Sequence, residues 1–281
     1  MIGKRSLRAV PRLLVYCFLL AVAVMELYPV LLVVLDSFKS TQQFYFDPLG
    51  FPKPPVFDNL INAFQSMNYL NALKNNLIIL VMSMVFIIFC SSLAAYPIAK
   101  KVIPLKSAIY TYFIAGMALP TFTALAPLLN MLKGIGLANS YVGMTLVYTA
   151  GAMPFTIMFY TGFYKSVPAE IEEAAQIDGA SMLGVYWRIY MPLLKTPTAT
   201  ICILQSVSIW NDFLYPYVFL SKSDKRTLMP ALYAFLGNEI VRTKWETIFP
   251  AMFLTALPLL IVFLIANKSF IKGMTEGAVK G

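Results

Sequence analysis

Six long apolar stretches dominate the sequence, and each could cross a bilayer as a single helix of about 20 residues. Four of them contain no charged residue, whereas the first contains Glu26 and the fifth contains Asp212. They cover approximately residues 13–35, 77–99, 108–132, 140–164, 198–220 and 247–267. Strands of a membrane barrel would be about half as long and would alternate in polarity. We therefore expect an all-α, polytopic membrane protein with six transmembrane helices in one domain over residues 1–281.

The composition excludes most classes of soluble protein. Charged residues make up 12% of the 281 residues, whereas a soluble domain carries about 25%. The chain contains no histidine, which removes histidine-dependent nucleophiles and histidine-ligated zinc. Its three cysteines lie singly in apolar runs, so they indicate neither a disulfide framework nor a metal site. We expect no catalytic residue, no metal site and no nucleic-acid partner, and we expect membrane lipid around the chain.

Lysine and arginine are distributed unequally between the loops. The side that carries both termini holds 13 of these residues and the opposite side holds 9. Because cytoplasmic loops are enriched in Lys and Arg, both termini are predicted to lie in the cytoplasm. The basic N-terminus resembles a signal peptide, but the apolar run behind it continues to Leu35 and is too long for one. We interpret this run as a retained first span.

The longest predicted cytoplasmic loop, residues 165–197, has the sequence of two short helices rather than of a linker. Gly179 can end the first helix, because glycine accepts the left-handed backbone of a helix C-terminus. Ser181 can cap the second helix. Pro192 and Pro197 are predicted to end that second helix before the fifth span begins.

The first helix of this loop combines small residues with carboxylates. Small side chains allow another protein to approach the backbone closely, and the surrounding acids suit a cleft that carries Lys or Arg. The alternative is an amphipathic helix lying on lipid, but such a helix usually presents Lys and Arg to the headgroups. We therefore favour docking to a protein. The small residues are Ala174, Ala175, Gly179 and Ala180, and the acids are Glu170, Glu172, Glu173 and Asp178.

The spacing of residues in this loop resembles a known motif. The loop contains Glu173-Ala174-Ala175, then after three residues Gly179, after nine more Ile189, and after one more Met191-Pro192. This pattern closely resembles the EAA loop of permease subunits in binding-protein-dependent ABC importers, which has leucine at the position of Met191. Ser37-Phe38-Lys39 and Trp210-Asn211-Asp212-Phe213 look like the carbohydrate-uptake branch. The length and the six-span layout are similar to those of the shorter permease of maltose-type systems.

The resemblance implies a type I ABC importer permease fold with a cytoplasmic coupling helix that docks on an ATPase. It implies three kinds of partner subunit in a bacterial or archaeal cytoplasmic membrane: a second permease of different sequence, two copies of a cytoplasmic ATPase, and an extracytoplasmic solute-binding protein. ATP and Mg²⁺ would be bound by the ATPase and no cofactor by this chain, which has no Gly-x4-Gly-Lys-Ser/Thr motif. The implied coupling residues are Glu170, Glu173, Ala174, Ala175, Asp178, Gly179, Ala180, Ile189 and Pro192.

The fifth stretch is the most polar of the six and is the candidate for a substrate pathway. Aromatic rings beside amide and carboxylate groups suit sugars, whose C–H faces stack and whose hydroxyls need donors and acceptors. The same side chains could instead form hydrogen bonds between helices or with the second permease, and both interpretations stay open. The candidate residues are Gln205, Trp210, Asn211, Asp212 and Tyr215.

The resulting hypothesis is a transporter subunit that is not itself an enzyme. It would form half of the pathway for a sugar or oligosaccharide delivered by the binding protein. The alternative is an ion-coupled secondary transporter that acts without an ATPase. Such a transporter is expected to have inverted repeats with carboxylates or helix breaks at corresponding positions in both halves of the chain. Glu26 and Asp212 lie in stretches that do not correspond.

Overall fold

The computed structural model describes residues 9–100, 103–119, 121–241 and 244–278, and within these ranges the chain forms helices and turns without any strand. The all-α prediction is confirmed. In chain order the α-helices are α1 (Ala9–Asp36), α2 (Thr41–Phe46), α3 (Asp58–Ser66), α4 (Tyr69–Ala99), α5 (Lys106–Gly116), α6 (Leu125–Gly134), α7 (Tyr141–Ser166), α8 (Ala169–Ile177), α9 (Met182–Val185), α10 (Met191–Leu193), α11 (Lys195–Asn211), α12 (Leu214–Phe219), α13 (Leu228–Val241) and α14 (Ile248–Ala278). Tyr186–Tyr190 forms a π-helical turn between α9 and α10.

Four helical segments are long and apolar enough to cross a membrane, and they coincide with the first, second, fourth and sixth predicted spans. These segments are Leu14–Asp36, Tyr69–Ala99, Tyr141–Ser166 and Ile248–Ile265. The other two predicted spans are interrupted: the stretch 108–132 is divided between α5 and α6, and the stretch 198–220 between α11 and α12. The expectation of unbroken helices there is wrong, and the count of six spans stays a prediction.

The interruption in the fifth stretch has a local cause at Asp212. Helix α11 ends at Asn211, and Asp212 takes an extended backbone with ψ of 124°. Its Oδ1 accepts hydrogen bonds from the amides of Leu214 and Tyr215, at 3.0 and 3.4 Å. A short acidic side chain favours the start of a helix when it accepts hydrogen bonds from amides two or three residues after it. The chain therefore begins a new helix, α12, after Asp212.

The helices group into two compact units. The first unit contains the chain up to Tyr69 together with Leu232–Leu257, and the second contains Leu70–Ala231 with the residues from Pro258 onward. The prediction of a single domain stays a prediction. In the first unit the segment after α1 folds around Lys39, which is fully buried. Its Nζ lies 2.6 Å from the Asp36 carboxylate and donates to the Pro48 carbonyl at 2.6 Å.

The core of the second unit lies among α4, α7 and the chain from α9 to α12. Aliphatic side chains from three of these helices are completely or almost completely buried there, among them Ile79 and Ile87 of α4, Ile157 of α7 and Ile201 of α11. Four tyrosines are fully buried in the same core: Tyr160, Tyr164, Tyr186 and Tyr190. A polar residue type therefore occupies the centre of this unit, where each hydroxyl needs a partner.

The predicted caps of the loop are confirmed, whereas the predicted effect of its two prolines is wrong. Gly179 adopts φ of +79°, and the Ser181 hydroxyl accepts a hydrogen bond from the amide of Gly184 at 3.2 Å. Pro192 is the second residue of α10, and Pro197 is the third residue of α11. Both prolines occupy a first helical turn, where the amide that proline lacks would have no partner within the helix, so they do not stop the chain from continuing as helix.

Candidate functional site

Helix α8 packs one side against its own unit and turns the other side to solvent. Glu172 and Ala175 are partly buried, and Ala175 packs against the core. Glu170, Glu173 and Ala174 are exposed. Residues three or four positions apart share a side of a helix, so these two sets follow directly from the helical period. We call the exposed side, formed by Glu170, Glu173, Ala174 and Ile177, the outer face of α8.

The outer face combines acidic charge with an exposed apolar side chain. Within the described part of the chain, Glu170 and Glu173 take part in no ion pair, so their negative charge is not compensated there. Ile177 follows Glu173 by one turn and is 86% exposed. Covering such an exposed isoleucine with another surface stabilises the complex by about 25 cal/mol for each Å² of apolar area that is buried. The face therefore has the chemistry of a docking surface.

The inner side of α8 is held by an uncommon set of donors around one carboxylate. Tyr96 donates its hydroxyl hydrogen to Oε1 of Glu172 at 3.1 Å, and Tyr190 donates to Oε2 at 2.9 Å. Lys100 Nζ lies 3.8 Å from Oε2, and the side chains of Lys100 and Glu172 are 10% and 12% exposed. Both carboxylate oxygens are thus occupied inside the chain. The sequence analysis placed Glu172 among the acids that would face a basic cleft, and the structure shows that it faces inward instead.

The tyrosines behind Glu172 form a continuous aromatic cluster. The Tyr96 and Tyr190 ring centroids are 5.1 Å apart, and those of Tyr164 and Tyr190 are 5.3 Å apart. The hydroxyl of Tyr186 pairs with the Ser92 hydroxyl at 2.8 Å. Burial, followed by the hydrogen bond to Glu172, raises the pKa of Tyr190 above its ordinary value. Tyr190 therefore remains a neutral donor, and the cluster packs tightly without unpaired phenol groups at this end.

The structure divides the nine predicted coupling residues between the surface and the core. The exposed ones are Glu170, Glu173, Ala174, Asp178, Gly179 and Pro192, whereas Ala175, Ala180 and Ile189 are partly buried and pack against the core. Ile177, which the prediction did not include, belongs with the exposed group. Its signal in the sequence was its place one turn after Glu173 on a side that is otherwise acidic or small.

The candidate pathway residues lie on α11, on α12 and at the break between them. Tyr148 of α7 donates its hydroxyl hydrogen to Oδ2 of Asp212 at 2.8 Å, so both oxygens of Asp212 are used within the chain. Asn211 donates from Nδ2 to the Val207 carbonyl at 3.0 Å. Trp210 is buried, and its Nε1 has no hydrogen-bond partner among the described residues. Gln205 and Tyr215 are half-buried.

A protein-family model matches the part of the sequence that contains α8. Residues 87–275, which include α8 and the chain that packs behind it, match the family described as "Binding-protein-dependent transport system inner membrane component". The chain belongs to this family. As a permease of this kind, it is an inner-membrane subunit of a transporter that also comprises a solute-binding protein, an ATPase and a partner permease. The expectation of an ABC importer is confirmed over that of a secondary transporter, and the permease is not itself an enzyme.

Relatives along most of the permease carry sugar-related names. It is 37% identical over 232 residues to the melibiose/raffinose/stachyose import permease protein MelC of Bacillus subtilis, which covers 82% of this chain and 83% of that protein. It is 31% identical over 269 residues to the multiple sugar-binding transport system permease protein MsmG of Streptococcus mutans, covering 94% and 96%.

A solved structure has the same fold. A chain in the crystal structure of a bacterial ABC transporter involved in the import of the acidic polysaccharide alginate superimposes on the permease with a TM-score of 0.80. The match covers 96% of this chain and 98% of that chain at 22% sequence identity. At this identity the similarity concerns the fold alone, and it confirms the expected importer permease fold.

Proposed function

We propose that this permease imports an oligosaccharide that an extracytoplasmic binding protein delivers, and that it forms half of the translocation pathway. The names of its relatives support this substrate class, because MelC is named for melibiose, raffinose and stachyose and AraQ of Bacillus subtilis for arabinooligosaccharides. The second half of the pathway is a permease of different sequence. Two ATPase copies bind ATP and Mg²⁺, and this chain binds no cofactor.

The outer face of α8 is the surface that docks on the ATPase. The single observation that carries this proposal is the contrast across one short helix. Its inner side is fixed by Glu172, whereas Glu173 and Ile177 extend outward without a counter-charge or cover within the described chain. A cleft with a basic residue and an apolar floor fits this combination. Gly179 and Asp178 form the turn that ends the helix beside the ATPase.

This function requires α8 on the same side of the membrane as ATP. Both termini and the loop 165–197 then lie in the cytoplasm, and the chain is a multi-pass protein of a bacterial or archaeal cytoplasmic membrane. The excess of Lys and Arg on the side of the termini supports this orientation.

The break between α11 and α12 has a different function from that of α8. Asp212 stabilises the break through Tyr148 and the amides of α12, so it acts as an internal brace and does not bind sugar. The half-buried Gln205 and Tyr215 and the exposed Asn211 remain available to a substrate or to the second permease.

Charge reversal at Glu173 tests the docking proposal. The intact transporter is affinity-purified in mild detergent from membranes that contain the native permease, Glu173→Lys or the control Asp58→Lys, and each co-purifying subunit is identified. Asp58 is an exposed acid in the first turn of α3, in the predicted extracytoplasmic segment. We expect Glu173→Lys to insert normally, to lose the ATPase and to abolish uptake of radiolabelled raffinose and melibiose. Normal ATPase retention in Glu173→Lys would contradict the proposal.

A further inference from the structure

Two adjacent glutamates in α8 have opposite surroundings. Glu173 belongs to the outer face, whereas the side chain of Glu172 is 12% exposed and lies between donors from two other parts of the second unit. Tyr96 belongs to the last turn of α4 and Lys100 follows that helix directly. Tyr190 is the last residue of the π-helical turn. A single carboxylate therefore joins α8, the end of α4 and the segment that leads into α11.

Lys100 forms a second link between the end of α4 and the beginning of α8. Its Nζ donates to the carbonyl of Val167, the second residue before α8, at 3.2 Å. The same Nζ lies 5.1 Å from the centroid of the Tyr190 ring, within the range of a cation–π interaction. The first turn of α8 is thus attached to the end of α4 through a backbone carbonyl and through the Glu172 carboxylate.

We propose that Glu172 is a positioning residue that makes α8 and the Lys100 end of α4 move as one body, so that a displacement imposed on α8 reaches the membrane helix. This inference rests on the proposed docking of α8 to the ATPase. Hydrogen bonds to a carboxylate are stronger than those between neutral groups and have a preferred direction. They resist sliding and rotation of α8, which the small apolar contact at Ala175 does not.

The proposal assigns separate tasks to the two glutamates. Glu173 holds the ATPase, and Glu172 passes its movement to α4. Removal of the donors to Glu172 should therefore leave docking intact and interrupt transmission. A residue with a merely structural role would instead change expression, insertion or docking.

The test compares the intact transporter carrying the native permease with two variants. The double variant Tyr96→Phe/Tyr190→Phe keeps both rings and removes both hydroxyl donors, and Glu172→Gln keeps the shape of the side chain and removes its charge. Tyr69→Phe is the matched control, because it removes a tyrosine hydroxyl that donates to the Leu254 carbonyl at 3.0 Å in the first unit. Hydrogen exchange of residues 91–100 and 169–177 is measured without nucleotide and after trapping with ATP and orthovanadate.

In the native transporter and in Tyr69→Phe, we expect trapping to change exchange in both segments. In the double variant and in Glu172→Gln, the ATPase should co-purify in the native amount and the change at 169–177 should persist. The change at 91–100 should be lost, and raffinose uptake per ATP hydrolysed should fall about tenfold, which is within the usual range for disrupted coupling.

Three results would overturn the inference: a native-like change at 91–100 in both variants, no change at 91–100 in the native transporter, or loss of the ATPase from correctly inserted variants. The last result would place Glu172 in docking rather than in transmission. Absence of the ATPase from the native preparation would instead refute the proposed function, so the two failures are distinguishable.

Discussion

Helix α8 and the break at Asp212 use the same chemical group in opposite ways. On α8, the carboxylates of Glu170 and Glu173 are exposed and unpaired within the described chain. At the break, the carboxylate of Asp212 accepts hydrogen bonds from Tyr148, Leu214 and Tyr215. The first arrangement offers charge to another molecule, whereas the second uses charge to determine the path of the chain. Acidic residues in an apolar chain therefore indicate function only once their partners are known.

The largest expected effect lies on the outer face of α8, at Ile177→Asp. The substitution adds a charge where the ATPase would cover an apolar side chain. Buried apolar anchors of interfaces typically contribute about 2 kcal/mol or more. We expect the ATPase to be lost during affinity purification while the permease stays inserted. Leu49→Asp, at an exposed leucine of the predicted extracytoplasmic segment, should retain the ATPase. Equal retention by both variants would place the outer face of α8 away from the ATPase.

The next largest effect is expected for Asp212→Asn, at the break between α11 and α12. Asparagine has one acceptor oxygen and cannot accept hydrogen bonds from both Tyr148 and the α12 amides, and an unsatisfied buried donor costs about 1–3 kcal/mol. We expect a lower thermal unfolding temperature of the purified permease and an unchanged ratio of apparent affinities for melibiose and raffinose. An altered ratio with unchanged stability would assign Asp212 to the substrate pathway. Glu173→Gln is the control that should leave stability unchanged.

A smaller effect is expected at the turn that ends α8. Gly179 adopts φ of +79°, and no atom lies within 4 Å of the position that a Cβ would occupy. Gly179→Ala therefore costs only the backbone strain of a left-handed L-residue, about 1–2 kcal/mol. We expect partial weakening of ATPase retention at elevated salt. The control Gly162→Ala tests a helical glycine of α7 that also has no atom within 4 Å of the position of a Cβ. Complete loss of the ATPase in Gly179→Ala would indicate direct contact rather than strain.

The smallest effect is expected for Glu170→Gln. Glu170 lies at the beginning of α8, on the border of the outer face, and exposed ion pairs contribute little. We expect the affinity for the ATPase to decrease less than about fivefold, and less at high salt than at low salt. Titration of the ATPase against the purified permease at two salt concentrations measures this. A larger decrease at Glu170 than at Ile177 would reverse the proposed order of contacts.

The sequence was sufficient to predict α8, because its signals are local. A motif of fixed spacing, a glycine at the helix end and a serine cap define the helix and the acids on its outer face. The inward position of Glu172 could not be predicted, because this residue stands next to another glutamate and its partners are distant in the chain. Tyr96 precedes it by 76 residues and Tyr190 follows it by 18. Only the tertiary packing shows which of the two glutamates faces inward.

The apolar stretches were predicted from their composition, which does not record where hydrogen bonds interrupt a helix. The stretch 198–220 contains enough apolar residues for one span, yet the Asp212 side chain satisfies the first amides of α12 and ends α11. At the two prolines of the loop, the error is the reverse: an end of helix was predicted where the chain continues as helix. Pro192 and Pro197 suggested an end to the second loop helix, but each occupies a first turn that tolerates proline.

Because the chain remains helical at these prolines, the loop is joined to α11 through helical hydrogen bonds. The amide of Leu194 donates a hydrogen bond to the Tyr190 carbonyl at 2.9 Å, and the amide of Thr198 donates to the Leu194 carbonyl at 2.8 Å. Helical hydrogen bonding thus crosses the junction between α10 and α11, so the loop joins α11 without an extended linker.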